Sequence, residues 1–336
     1  MKIQILMSAY NGSQYIKTQM DSIAAQEFHG HPALPCVSQH GSHFVQKQGC
    51  PQDTAHIALL VRDDGSTDGT PKILESYCSR FPWISYYKGA NIGVQRSFLD
   101  LIHRADPHAD YYAFADQDDE WLPQKLEHAI QCLQGMALPP ETPQLYCSAK
   151  QIVDQNLDPL PAAIGQQVRR TSFGNALVQN ICTGCTAVFN KALFSMIKRH
   201  PIRNPQDMVM HDWWLYLAAS CFGHVFYDQN TYIRYRQHGA NAFGVMLSQR
   251  DLLAYRLREL KKPRGKIFRQ AALFLETYAD LLELPEYREN RQLAANLLAC
   301  KDSWPCRLKL AFDPRYFRQK RSDDLIFRGI VLIGKL

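Results

Sequence analysis

The sequence predicts an α/β protein: a mixed, mainly parallel sheet flanked by helices, with a helical C-terminal extension. Two observations carry this. Apolar runs alternate with amphipathic helical stretches through roughly the first 150 residues, the pattern of parallel strands joined by crossover helices. Two of those runs, Ile57–Val61 and Tyr111–Ala115, end in clustered acids. Carboxylates at the carboxyl ends of neighbouring parallel strands face the crevice where open α/β sheets bind ligands.

The elements follow in order. Lys2–Met7 reads as the first strand, and Ala9-Tyr10-Asn11-Gly12 as the turn after it. Ser13–Gln26 places Tyr15, Ile16, Met20, Ile23 and Ala24 at helical spacing. Ile57–Val61 is the second strand. Thr70–Phe81 is a helix, with Asp68 as N-cap and Pro71 in the first turn. Ile84–Tyr87 is a strand, Gly93–Arg104 a helix and Tyr111–Ala115 a strand; Pro123–Leu133 is a helix with proline at its first position. Tyr146–Val153 and Cys185–Phe189 read as strands and Asn190–His200 as a helix. Met210 opens another helix, running to about Cys221. Val225–Tyr227 and Tyr232–Tyr235 read as two further strands. Leu247–Leu260, Phe268–Leu284 and Arg291–Ala299 carry helical periodicity, and Leu325–Ile333 reads as a short apolar terminal helix.

Residues 1–242 are thus expected to form the α/β domain and 243–336 a helical region with a basic tail. Residues 27–56 interrupt the domain with five of the twelve histidines, Cys36 and Cys50. A connection this long is unusual in a compact domain. It reads as a flexible surface insertion, a small ordered excursion or a lid; His29, His31, Cys36, His40, His43 and Cys50 are zinc-ligand types, but their spacing matches no familiar zinc finger. The remaining cysteines are irregularly spaced, so reduced thiols are expected, with Cys132, Cys147 and Cys221 as buried hydrophobes. Charge is uneven: residues 250–336 carry 19 Lys/Arg against 11 Asp/Glu, and residues 1–249 carry 19 against 21. A basic tail suits an anionic surface such as membrane lipid. It lacks a nucleic-acid-binding module, so no nucleic acid is expected. With no leader and no membrane-spanning stretch, the expected location is cytoplasmic, with the tail able to lie on the inner face of the membrane.

Asp116-Gln117-Asp118 is the sharpest chemical element. Two carboxylates at alternate positions leaving a strand can serve ribose with one and a hard cation, Mg²⁺ or Mn²⁺, with the other. Asp119 and Glu120 also suit a helix N-terminus. In Asp63–Thr70 a carboxylate can accept from a pyrimidine N3–H, while Gly65 and Asp68 shape the turn. Asp212, between His211 and Trp213-Trp214, is a candidate general base, because a carboxylate pressed on aromatic surface loses solvation and becomes more basic. Cys182-Thr183-Gly184-Cys185 has redox spacing but leads into a strand, so no helix dipole lowers its thiol pKa. A tight turn at Gly184, close to substrate, is expected instead.

Taken in order, several motifs resemble the inverting glycosyltransferases of family 2. They are Met7–Gly12, Asp63–Thr70, Asn91-Ile92-Gly93, Asp116–Trp121 with Pro123 and Lys125-Leu126, Thr183–Thr186, His211-Asp212 and Tyr235–Gly239. The forms Asp-Gln-Asp-Asp, Thr-Gly-Cys-Thr, His-Asp-Trp and Tyr-Arg-Gln-His-Gly are most similar to bacterial polysaccharide rhamnosyltransferases, which use dTDP-L-rhamnose. The resemblance implies a Rossmann-like GT-A fold and a nucleotide site of Ser8, Tyr10, Asn11, Asp63, Asp64 and Asp116. It implies a metal site of Asp118 and His238, with Asp212 as the base. Gln117, Asp119, Trp121, Gly184, His211 and Trp213 would surround the sugars. The acceptor would be a glycan or lipid-linked oligosaccharide. A UDP-hexose donor on the same fold is the alternative. A non-catalytic sugar-nucleotide-binding protein is disfavoured because Asp64, Asp118 and Asp212 are all present. A nicotinamide oxidoreductase is excluded, since no Gly-x-Gly-x-x-Gly follows the first strand.

Overall fold

The computed structural model describes residues 1–29, 55–161, 168–239 and 265–336. Most of the histidine-rich insertion and the expected helix Leu247–Leu260 lie outside the described residues. The centre is an eight-stranded mixed sheet. Its strands are β1 (Lys2–Ala9), β2 (His56–Asp63), β3 (Ile84–Lys88), β4 (Tyr111–Ala115), β5 (Glu120–Trp121), β6 (Gln144–Val153), β7 (Val188–Asn190) and β8 (His224–Arg236). They lie in the order β3-β2-β1-β4-β7-β6-β8-β5.

Parallel pairing joins β1 to β2 and β4, β2 to β3, and β6 to β8. Strand β7 runs antiparallel to both β4 and β6, and β5 antiparallel to β8. The acid-tipped strands β2 and β4 are therefore not adjacent; they flank β1. Register sets Ala9 opposite Asp63 and Met7 opposite Ala115, so both acidic loops leave beside the end of β1.

The helices α1 (Ile16–Ala24), α2 (Thr70–Arg80), α3 (Val94–Arg104) and α4 (Lys125–Gly135) fall where the periodicity places them. Pro123 precedes the first turn of α4 rather than occupying it, because Gln124 is the N-cap. Next come a short helix α5 (Phe173–Ala176), α6 (Lys191–Arg199) and α7 (His211–Phe222). Asn190 begins α6 by accepting the Leu193 N–H (3.1 Å), and the same oxygen takes the Gln144 N–H (3.0 Å). One side chain thus fixes the start of β6, the end of β7 and a helix cap.

Two strand expectations are corrected. Cys185 and Thr186 belong to a 3₁₀ turn, Gly184–Thr186, and β7 begins only at Val188. The two short strands after Cys221 are one strand, β8, whose pairing with β6 shifts register near Ser148 and Ala149. Asp228 Oδ1 accepts the Asn230 N–H (2.9 Å), which kinks the strand without ending it.

The C-terminal helices are α8 (Lys266–Thr277), α9 (Ala279–Leu282), α10 (Arg288–Ala299), α11 (Trp304–Phe312) and α12 (Arg321–Leu332). Their buried residues, among them Phe274, Tyr278, Leu297 and Phe327, join one apolar cluster with Phe114 of β4, Leu145 of β6 and Trp214 of α7. The other face of the sheet has its own core, including Ile5, Val61, Leu126 and Ile233. The described cysteines are free, and Cys132, Cys147 and Cys221 are buried. Among the described residues no helix is long and apolar enough to cross a membrane.

Phe274 sits where the C-terminal helices meet the sheet side, with ring centroids 5.4 Å from Phe173, 5.5 Å from Trp214 and 4.9 Å from Tyr278. Phe274→Ala should cost about 3–5 kcal/mol. Urea unfolding followed by tryptophan fluorescence and circular dichroism should shift as one transition. Two separate transitions would show that the helices fold apart from the sheet.

Candidate active site

The site is built on the loops leaving β1, β2 and β4. After β1 the backbone turns at Asn11, whose positive φ of 46° asparagine tolerates better than most residues. The Asn11 N–H donates to Ser66 Oγ (2.9 Å), and its Oδ1 accepts from the Thr67 N–H (2.9 Å), joining the first two loops. Ser8 Oγ lies 2.6 Å from Ser97 Oγ of α3. Tyr10 is exposed at the rim.

Asp64 is buried and fully engaged. It pairs with Arg62 and accepts the N–H groups of Ile92 and Gly93, each at 2.9 Å. Arg62 is held in turn by Asp100 and the Ala90 carbonyl, each at 3.0 Å. Removing one partner of so buried a pair costs about 3–5 kcal/mol. Asp64 thus fastens the Asn91–Gly93 loop to β2. Asp63 uses one oxygen for the Ser66 N–H (2.9 Å); its Oδ2 is buried without a hydrogen-bond partner.

The acids after β4 converge with Asp212. Asp118 Oδ2 lies 2.8 Å from Nε2 of His238, which is 120 residues distant in sequence. Burial first, then the charges of Asp118 and Asp212, push Asp116 up to about 7. Asp119 is raised well above the usual carboxylate range by burial and by Asp118 and Asp116. The Cys185 thiol and the Asp116 and Asp119 carboxylates offer ligand atoms within 4.8 Å of one another.

Asp212 lies in the first turn of α7 and is buried. It accepts the Gly184 N–H (3.0 Å), the Asn180 side-chain amide (3.1 Å) and the Trp213 N–H (2.6 Å). Burial raises it to about 6 even so. It is held in one orientation and stays more basic than an exposed aspartate, as a general base requires.

The structure brings together Asp116, Asp118, Asp212, Gly184 and His238, and it gives several of the others structural partners. Gln117 braces the Tyr10 backbone, its Oε1 accepting the N–H and its Nε2 donating to the carbonyl, both at 2.9 Å. A side chain on Gly12 would collide with that amide. Asp119 turns inward to accept the Arg236 N–H (3.1 Å), and Trp121 is buried with its N–H on Ser22 Oγ (3.1 Å). His211 stacks on Phe98 at 4.0 Å behind Gly184, and burial drops its pKa to about 3, so it stays neutral. Trp213 points its indole N–H at the Ala176 carbonyl (2.6 Å).

Three contributors were missed. Asn180 orients Asp212. Lys150 donates to Thr183 Oγ1 (3.1 Å), and its positive charge lowers the pKa values of Asp116 and Asp212. Arg236 donates from Nε to the Asp118 carbonyl (2.7 Å) and lies 4.8 Å over the Tyr15 ring, which packs at 4.6 Å from His238. A lysine inside the apolar strand run Tyr146–Val153 was a readable signal. Asn180 offered none.

A mixed sheet with carboxylates gathered at its carboxyl edge is the architecture of a GT-A-like fold, and the comparisons say what such a fold does here. Residues 4–136 match the model for glycosyl transferase family 2. The dTDP-rhamnosyl transferase RfbG of Shigella flexneri is 27% identical over 250 residues, 72% of this chain and 75% of that protein. An uncharacterized glycosyltransferase of Rickettsia prowazekii, RP339, is 22% identical over 306 residues, 87% of this chain and 83% of its own. The structure of S. aureus TarS residues 1–349 with UDP-GlcNAc superposes with a TM-score of 0.53. It covers 99% of this chain and 91% of that one at 14% identity. Residues 4–136 thus carry a glycosyl transferase family 2 domain, and the chain is a glycosyltransferase.

With the Asp212 pKa at about 6, transfer should be lost as pH falls through 6, where the base takes up a proton, and should level off above it. Asp212→Asn should lower kcat by about 10²–10⁴ with donor binding kept. A pH–rate profile of wild type and variant, with donor titrations of each, checks both.

Proposed function

We propose that this glycosyltransferase moves L-rhamnose from dTDP-L-rhamnose to a hydroxyl of a glycan or lipid-linked oligosaccharide in polysaccharide biosynthesis. The reaction is a metal-dependent inverting displacement at the inner face of the cell membrane. The observation that carries the chemistry is the junction of Asp118 with His238 beside Asp116 and Asp212. The donor rests on the similarity to the Shigella dTDP-rhamnosyl transferase.

The residues fit a hard divalent cation. Asp116 and Asp118 would supply oxygens and His238 a nitrogen, in a crevice where burial first, and then the Asp118 and Asp212 charges, leave Asp116 partly protonated near neutral pH. When bound, Mg²⁺ or Mn²⁺ would neutralise the charge growing on the departing diphosphate.

The chain's own residues do the rest. Asp63, with its unpartnered buried oxygen, and Ser8, Tyr10 and Asn11 border the nucleoside region, while Asp64 keeps the surrounding loops in place. Asp212 takes the acceptor hydroxyl proton as that oxygen attacks the anomeric carbon from the face opposite the leaving group. Gly184 and Asn180 hold its carboxylate still, so little rearrangement is needed as the proton moves.

Calorimetric titration with dTDP-L-rhamnose, with and without Mn²⁺, tests this reading. Wild type should bind in a metal-dependent way, and Asp118→Ala should weaken binding about tenfold or more. Preference for a UDP-hexose would replace the donor and keep the site. Binding that ignores both metal and Asp118 would overturn the assignment.

A further inference from the structure

Nine large apolar side chains are exposed among the described residues, and six of them lie between Trp304 and Ile333. Trp304 (60% exposed), Leu308 and Phe312 (73%) are spaced four apart and form one stripe along α11. Leu325 (73%), Ile326 and Ile333 (64%) are the exposed apolar residues of α12 and the residue that caps it.

The two helices form an antiparallel pair. A side chain on Gly334, just past α12, would collide with Arg307 of α11, while Arg328 of α12 donates to the Ala311 carbonyl. Ile333 is thus level with the first half of α11, and Leu325 and Ile326 with Phe312. The opposite faces are satisfied: Leu310 and Ala311 on α11, and Phe327 and Val331 on α12, are buried in the main core. The pair is docked by one side and leaves an apolar ridge on the other.

Residues 301–336 carry nine Lys/Arg and four Asp. Lys301, Lys309, Arg321 and Lys335 are exposed on or beside the same two helices. Apolar side chains bordered by lysine and arginine, with a tryptophan among them, match the boundary between acyl chains and anionic headgroups.

We propose that the α11–α12 ridge seats the enzyme on an anionic bilayer, with Trp304, Phe312 and Leu325 entering the headgroup boundary and the basic residues pairing with lipid phosphates. This deepens the reading of a lipid-linked acceptor: the ridge would hold the enzyme at the surface that carries it. It also widens the membrane contact beyond the terminal helix, since the stripe on α11 supplies half of the ridge.

Flotation of the full chain with vesicles tests the proposal, using phosphatidylcholine alone or with phosphatidylglycerol added. Wild type should float with the anionic vesicles and lose binding as salt rises. The double variant Trp304→Ser, Phe312→Ser should partition about tenfold less or weaker still. Lys309→Gln and Arg321→Gln should each cost about fivefold. These side chains are exposed, and unchanged thermal unfolding would confirm that the variants fold. Failure of wild type to float, or equal flotation of the double variant, overturns the ridge. So does light scattering showing a dimer that the double variant dissolves, because a second copy would then cover it. Titration of the same variants with dTDP-L-rhamnose separates the two readings. Lost flotation with donor binding intact bears on the ridge alone, and flotation without donor binding bears on the donor alone.

Discussion

Repulsion among carboxylates crowded into a desolvated crevice is the constraint on which the rest of the site depends. Asp116, Asp118 and Asp212 are close enough that, on top of burial, the latter two help raise the first to about 7, and burial with the Asp118 and Asp116 charges also raises Asp119. Water does not screen these charges as it would at the surface. The compensating groups come from separate parts of the chain. Lys150 reaches in from β6 and Arg236 from the end of β8. Lys125 lies underneath, 3.7 Å from the Trp121 ring, where burial lowers it to about 7 and limits the charge it offers. A site held together by partial compensation has room for one more cation, and a nucleoside diphosphate arrives with its own negative charge.

The sheet order explains how such distant segments meet. The parallel half, β3-β2-β1-β4, delivers two loops to one edge. The antiparallel β7 inserts next to β4, so the Gly184 turn that precedes it stands beside Asp116. Strand β8, parallel to β6, ends at the same edge and gives Arg236 and, two residues later, His238. The pairing of Glu120 and Trp121 with β8 holds the Asp116–Asp119 loop against that strand, with Arg234 and Glu120 bonded at 2.7 Å.

Much of this was legible. Strands β2 and β4 contain the apolar runs Ile57–Val61 and Tyr111–Ala115, and an acidic cluster follows each. What was not legible depended on where hydrogen-bonding capacity is spent. Asp64, Gln117 and His211 belong to residue types that bind ligands, yet the first two are committed to backbone groups and the third to aromatic packing. Residue type does not reveal that commitment. The sequence separates Val225–Tyr227 from Tyr232–Tyr235, and Asp228 and Asn230 between them are residues that favour turns. Within β8, Asp228 instead bonds His128 at 2.7 Å and Tyr146 at 3.0 Å, and those long-range contacts carry the strand through the kink. Strand β5, at two residues, is too short for any alternation to show.

Asp212, the proposed general base, is tied to the helical region more directly than the order of the chain suggests. Asp212 occupies the first turn of α7, and the next turns of that helix are almost wholly buried. Trp214 donates its indole N–H to the Tyr278 hydroxyl (3.3 Å), and Phe222 packs against Phe274 and Tyr278. Trp213 anchors the same first turn to α5, whose Asn175 donates to the Phe317 carbonyl (2.8 Å) beyond α11. Packed aromatic contacts therefore link the C-terminal helices to the turn carrying Asp212. General-base catalysis is sensitive to displacements well below the size of a side chain. The C-terminal helices share a core with the sheet, and through it they support the turn that carries the proposed base.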